Sequence, residues 1–311
     1  MKHIILDTDP GVDDALAFLL AFNSPELKVE AVTTVAGNVN HTKGHKNAKK
    51  LLEFIGATDV PVCAGAEKPL IRVMSHAEEF HGKTGLGEAE LPEPKLETDP
   101  RNAVEMILEK ADELGKDLTL VAIGPLTNIA AALLADSMLP EKVDKLVIMG
   151  GAFNLTPYGL GNANAVAEFN IWHDPEAAKI VFNSSLPIVA AGLDTTTHPD
   201  YRMSVDMFNE IKAKKDRRSK LVVELCKALV EKFNGFSLHD PQAIAYVVDP
   251  TIFRTEKYKV DLEIHGELTR GMTVVERRYY RRVKEEANTD IIVEVDASRF
   301  LKLIMDRVTG E

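Results

Sequence analysis

Ile4-Ile5-Leu6-Asp7-Thr8-Asp9-Pro10-Gly11-Val12-Asp13-Asp14 is an apolar run that stops at a Pro-Gly pair and carries four aspartates within eight residues. An apolar run of this kind at the start of a chain reads as a buried parallel strand. Pro10 and Gly11 break it, and Asp13-Asp14 opens a helix from Ala15 to Phe22. The carboxylates therefore fall where a strand ends and a helix begins, the edge of an open α/β sheet where ligands bind. One or two of them could serve only as helix caps. Four like charges so close repel unless something positive sits among them, and a hard divalent cation prefers carboxylate oxygens.

Outward from this stretch, strand-like and helix-like segments alternate. Strands are expected at Val29 to Val35, Val60 to Ala64, Leu118 to Ile123, Lys145 to Met149 and Ile188 to Ala191. Helices are expected at Thr42 to Ile55, Arg101 to Leu114, Leu126 to Ala135 and Pro175 to Asn183. The alternation implies an α/β fold, a mostly parallel central sheet with helices on both faces, as in a Rossmann-like open sheet. After Asp194 the pattern changes to extra C-terminal helices and strands: helix across Ser204 to Lys232, strands at Tyr258 to Ile264, Met272 to Val275 and Ile291 to Val295, and a closing helix from Ala297 to Val308. No linker or repeat divides the chain, so residues 1–311 read as one domain. The loop from Arg72 to Pro100 has a length that is often functional. The charged patch Lys212 to Arg218 reads as a solvated helix face or turn.

Composition narrows the class. The 311 residues are 45% hydrophobic with a net charge of -11. That charge argues against nucleic acid or a membrane surface as partner. Two distant cysteines, Cys63 and Cys226, make neither a disulfide framework nor a zinc site. There is no signal-peptide core and no bilayer-length apolar run, so a reducing cytoplasm is the expected location.

Three further constellations carry chemistry. Leu238-His239-Asp240-Pro241 precedes an apolar helix from Ala243 to Val248; alone it is no more than a common cap. Glu168-Phe169-Asn170, preceded by Gly161-Asn162, could bind sugar hydroxyls or be a strand with surface polar groups. Gly82-Lys83-Thr84 suggests a phosphate loop, but Ala77 stands where that motif needs its first glycine.

Taken together these segments resemble the inosine-uridine-preferring nucleoside hydrolase family, over nearly the whole chain. Asp7-Thr8-Asp9-Pro10-Gly11-Val12-Asp13-Asp14-Ala15 resembles its N-terminal fingerprint. Thr34 to Val39, Ile123-Gly124-Pro125-Leu126-Thr127-Asn128, Met149-Gly150-Gly151, Glu168-Phe169-Asn170 and His239-Asp240-Pro241 follow in the family's order. Among bacterial members the chain looks most like the broad-specificity ribonucleoside hydrolases. The resemblance implies the nucleoside hydrolase fold and hydrolysis of the N-glycosidic bond of purine or pyrimidine ribonucleosides to ribose and free base, with nucleoside salvage as its setting. It implies one Ca²⁺ held by Asp9, Asp14, Asp240 and the carbonyl of Ile123, with Asp9 as general base and His239 aiding the leaving base. Asp13, Asn38, Asn162, Glu168 and Asn170 would hold the ribose, Met149 would pack beneath it, and His81 would lie near the base. It further implies a homo-oligomer, dimer or tetramer.

The chain departs from the family pattern at Lys83-Thr84, at Asn162-Ala163-Asn164-Ala165, in a longer segment between Met149 and Asn162, and in a short stretch Glu231 to Leu238 over the base. Asp194 to His198 reads as supporting structure. Two other functions compete: a silent nucleoside-binding protein with the same pocket, and a Mg²⁺-dependent phosphatase using Asp7 as nucleophile and Asp9 as acid.

Overall fold

The computed structural model describes residues 1–73, 76–278 and 287–310. In chain order β1 (Lys2–Thr8), α1 (Val12–Phe22), β2 (Leu27–Thr34), α2 (His41–Ile55) and β3 (Val62–Ala64) open the fold. A short α3 (Glu78–His81) interrupts the long loop before α4 (Ala103–Leu114), β4 (Leu118–Ala122), α5 (Thr127–Ala135), α6 (Leu139–Lys142) and β5 (Lys145–Met149). Then come α7 (Phe169–His173), α8 (Pro175–Phe182), β6 (Ile188–Ala191), α9 (Leu193–Thr196), α10 (Val205–Lys214), α11 (Arg217–Phe233) and α12 (His239–Val248). The chain closes with β7 (Phe253–Tyr258), β8 (Val260–Leu262), β9 (Thr273–Val275), β10 (Thr289–Val295) and α13 (Ala297–Val308).

Eight strands form one sheet in the order β3-β2-β1-β4-β5-β6-β10-β7. The pairs are parallel except β10 with the edge strand β7. β8 and β9 make a separate antiparallel pair. Strand pleating explains the continuous apolar run of β1: Ile4 and Leu6 enter the core on one face and Ile5 the core on the other. The strand order runs outward in both directions from β1 and β4, so the crevice beyond their carboxyl ends is a topological switch point.

Two packed helices deliver acids to that crevice. α1 and α12 lie against each other, and both begin at the sheet's carboxyl edge with acids in their first turns, Asp13 and Asp14 on one and Asp240 on the other. The helix N-termini carry partial positive charge that favours carboxylates.

The expected strands and helices of the first two hundred residues are present, with ends displaced by a few residues. β7 was not foreseen: Phe-Arg-Thr-Glu-Lys-Tyr is mostly polar because it sits at an antiparallel edge with much of its surface in water. The strand expected from Tyr258 is instead the end of β7 followed by β8. The alternative reading of the Glu168 segment as a strand is wrong; residues 169–173 are helical because Glu168 caps them. The Lys212 to Arg218 patch spans the end of α10, a turn at Lys215 and Asp216, and the start of α11; it is mostly exposed, and Asp216 caps α11.

Candidate active site

The first β-α turn builds the floor of the site. Asp14 closes the start of α1: its carboxylate accepts the Thr8 hydroxyl at 2.5 Å, the Gly11 N–H at 2.8 Å and the Asn38 side-chain amide at 3.0 Å. Asp9 accepts the Asn38 N–H at 2.7 Å through Oδ2. Gly37 must be glycine for this, since a Cβ would stand 2.0 Å from that oxygen. Asn38 therefore orders two acids from the end of β2.

Asp9, Asp13, Asp14 and Asp240 are at most 8% exposed. Asp13, Asp14 and Asp240 each bring a carboxylate oxygen within 4.8 Å of the others. Asp9 stands beside this trio, near enough for mutual repulsion. Burial, joined by repulsion from Asp14 and Asp13, pushes the Asp9 carboxyl well above the usual range. Burial and the charges of Asp13, Asp14 and Asp9 do the same to Asp240. Asp13 and Asp14 are raised to about 6, chiefly by burial. Oδ1 of Asp9 and Oδ1 of Asp13 are buried without a hydrogen-bond partner among the described residues. A crowded, partly unsatisfied set of oxygens is what a hard cation compensates, so the residues fit a divalent metal site.

Above this floor opens a cavity of about 600 Å³. Every site residue expected from the sequence lines it except Asp9 and Asp14, which lie beneath. Ile123 presents its carbonyl just beyond β4, where it accepts the Asn170 amide at 3.0 Å; the same amide reaches the Met149 carbonyl at 3.1 Å. Asn170 thus has its NH₂ committed and its Oδ1 left for a ligand. Asn162 is the reverse, its Oδ1 accepting the Phe169 N–H at 2.9 Å. Glu168 accepts the N–H groups of Asn170, Ile171 and Gly151 at 2.9, 3.1 and 3.1 Å. Its replacement by Ala orphans three buried donors, and we expect a loss of about 2–4 kcal/mol of unfolding free energy, read from urea denaturation.

The two histidines sit at the base of the cavity wall. His81 Nδ1 accepts the Val12 N–H at 3.1 Å and lies 3.9 Å from Asp13. His239 Nδ1 pairs with the Thr196 hydroxyl at 2.8 Å. Burial lowers both to about 4, helped at His239 by His81 and Arg202, so each is a neutral imidazole.

Supporting residues read from the sequence behave as support. Asp194 accepts the N–H groups of Phe153, Leu155 and Thr156 and so pins the longer segment after Met149. Asp7 is 1% exposed, takes hydrogen bonds from Thr33 and Asn128 at 2.6 and 2.7 Å, and does not line the cavity. It cannot attack a substrate, which removes the basis of the phosphatase reading. Lys83 and Thr84 are exposed and outside the cavity, so that departure from the family pattern touches the surface only. The Arg72 to Pro100 loop does contribute to the site, through His76, Ala77, Glu79, Phe80 and His81; residues 74–75 lie outside the described residues. Sequence reasoning missed four aromatic residues that line the cavity, Phe80, Trp172, Phe233 and Phe236, and the cation Arg202. The short stretch Glu231 to Leu238, expected over the base, is the nearest signal in the sequence.

Comparisons with known proteins show the family of the chain. A model of the inosine-uridine preferring nucleoside hydrolases matches residues 4–302. The pyrimidine-specific ribonucleoside hydrolase RihA of Enterobacter sp. (strain 638) is 42% identical over 98% of this chain and 97% of its own. That of Shigella flexneri serotype 5b (strain 8401) is 41% identical with the same coverage. The structure of a purine-preferring ribonucleoside hydrolase from Gardnerella vaginalis superposes with a TM-score of 0.89, at 32% identity, over 99% of this chain and 98% of that one. The chain belongs to the inosine-uridine preferring nucleoside hydrolases, enzymes that cleave the N-glycosidic bond of ribonucleosides.

Proposed function

We propose that this chain hydrolyses pyrimidine ribonucleosides with Ca²⁺ bound by Asp9, Asp14, Asp240 and the Ile123 carbonyl, and with Asp9 as general base. The observation that carries the reading is a set of buried carboxylates, short of counter-charge, under a cavity lined by the side chains of Asn38, Asn162 and Asn170 and by aromatic rings. All-oxygen donors suit calcium better than zinc. Bound there, the ion supplies an anchor for vicinal hydroxyls and lowers the pKa of a coordinated water.

The chain's own residues do the rest. As the glycosidic bond lengthens, positive charge grows on the ribose, and the carboxylates beneath stabilise it in a site of low dielectric. Asp9 keeps Oδ2 on the Asn38 N–H, leaving Oδ1 to take the proton of the attacking water. Asn170 Oδ1 accepts a ribose hydroxyl, and the Asn162 amide donates to another. Asp13 and Asn38 line the same floor and Met149 closes it under the sugar. His239, held through Thr196, offers its other ring nitrogen toward the base, and His81 lies beside it. A binding protein has no use for an unsatisfied base such as Asp9.

The pyrimidine preference rests on the names of the relatives at 41–42% identity. Initial rates on uridine, cytidine, inosine and adenosine test it: at least tenfold faster release of uracil or cytosine is expected, and faster release of the purine bases overturns it. A cytoplasmic location fits Cys63 and Cys226, both free and buried; no described helix is long and apolar enough to cross a membrane. The whole chain acting as one domain, and its assembly as a homodimer or homotetramer, belong to the same proposal, the latter tested by light scattering.

A further inference from the structure

Among the described residues that line the cavity, Arg202 is the one permanently cationic side chain. Its Nε is buried and has no hydrogen-bond partner. Its Nη2 reaches only the Phe233 carbonyl, at 3.5 Å, a long and weak contact. A half-buried guanidinium with such poor pairing is costly unless an acceptor arrives. The acids of the cavity floor do not pair with it, since no ion pair among the described residues includes Arg202.

The backbone around Arg202 is nevertheless fixed. Met203 and Phe236 exchange two backbone hydrogen bonds of 2.9 Å in an isolated antiparallel bridge. The bridge ties the residue next to Arg202 to the loop between α11 and α12, which itself lines the cavity through Gly235, Phe236 and Ser237. Gly235 has φ of 133°, open in practice to glycine alone, and a Cβ there would meet the Met203 carbonyl at 3.0 Å and Arg202 Nη2 at 3.5 Å. The guanidinium thus lies along Gly235 and beside the Phe233 carbonyl, in a cavity that the rings of Phe233 and Phe236 also line, surfaces on which a flat base can stack.

We propose that Arg202 is a catalytic residue that donates a hydrogen bond to the C2 carbonyl oxygen of the departing pyrimidine. This rests on the hydrolase reading above. When the C1′–N1 bond breaks, its electron pair goes to the base and spreads over N1 and the conjugated C2 oxygen. The Arg202 N–H groups face that oxygen and stabilise the charge. The water oxygen bonds to C1′, its proton passes to a carboxylate of the floor and then to solvent, and the base takes a proton from solvent after release. The products are ribose and neutral base. A guanidinium suits this task because it stays charged at every working pH. Purines carry no carbonyl beside the glycosidic nitrogen, only ring N3, so the same residue favours pyrimidines.

The test compares wild type with R202M and R202K on uridine and on 4-nitrophenyl β-D-ribofuranoside, whose phenolate leaves unaided. R202M is expected to lower kcat on uridine by about 10²–10³-fold, the cost of losing one donor to a developing anion, and to change kcat on the nitrophenyl riboside by less than about fivefold. R202K, retaining charge, is expected to recover about a tenth or more of the uridine rate. Equal losses on both substrates, or none on either, overturn the proposal. Should R202M fail to fold, the ratio of the two rates in R202K carries the same test: a loss confined to uridine supports the role and an equal loss overturns it. Wild-type protein that releases no base from any ribonucleoside overturns the hydrolase reading itself, whereas wild-type turnover with an unchanged substrate ratio in the variants overturns the Arg202 assignment alone.

Discussion

Replacement of Asp9 by Asn is expected to reduce kcat on ribonucleosides by about 10³-fold or more while leaving the fold intact. General-base catalysis contributes about 10²–10⁴-fold, and Asn cannot take a proton. The shape of the side chain is kept, so the hydrogen bond from the Asn38 N–H and the close fit against Gly37 survive. The same substitution is expected to raise the thermal midpoint of the chelator-treated protein, because Asp9 is a buried acid repelled by Asp14 and Asp13. Activity and stability therefore move in opposite directions, the signature of a strained functional group. Near-normal turnover in the Asn variant removes Asp9 as the base; a lower midpoint shows the site is not strained by its own charge.

The second large effect is expected from Asp240→Ala, which should lose calcium binding and activity together. Asp240 starts α12, packed on α1, and its carboxylate closes the trio with Asp13 and Asp14. In the wild type, calcium at about a hundred times its Kd adds about 2.7 kcal/mol to folding, seen as a rise in thermal midpoint; the variant should show almost none. Without calcium, pH replaces the ion. Asp7 is raised to about 7, and Asp13 and Asp14 to about 6, mainly by burial. These acids hold their protons more tightly folded than unfolded, so the stability they confer is present at about pH 4 and falls as pH rises to about 7. Saturating calcium should flatten that slope. A calcium response in Asp240→Ala equal to wild type would place the ion elsewhere.

How much of this was legible follows from where each residue lies along the chain. Asp9, Asp13 and Asp14 belong to one uninterrupted strand-turn-helix, so local rules alone placed them at a sheet edge. Asp240, far along the chain, was weak on its own and gained meaning only from the ordered motifs around it. Its meeting with Asp14 depends on the packing of α1 against α12, which no local pattern encodes. Glu168 could be read two ways until its carboxylate was seen capping α7 through the N–H groups of Asn170 and Ile171 and reaching the Gly151 N–H as well. β7 escaped because an exposed antiparallel edge needs few apolar residues. Arg202, Phe80 and Phe233 escaped for a different reason. They come from separate loops and helix ends, joined by contacts such as the Met203–Phe236 bridge; Arg202 and Phe233 sit in no motif, and Phe80 only borders the His81 stretch. Asp7 illustrates the converse, a conspicuous acid whose burial shows it to be scaffold.

The most direct measurement is release of free base and reducing sugar from uridine by the purified protein, with chelator, without it, and with calcium restored. The expected result is uracil and ribose in equal amounts, loss of turnover in chelator and recovery on adding Ca²⁺. Turnover that persists undiminished in chelator, with the metal shown to be absent, contradicts it.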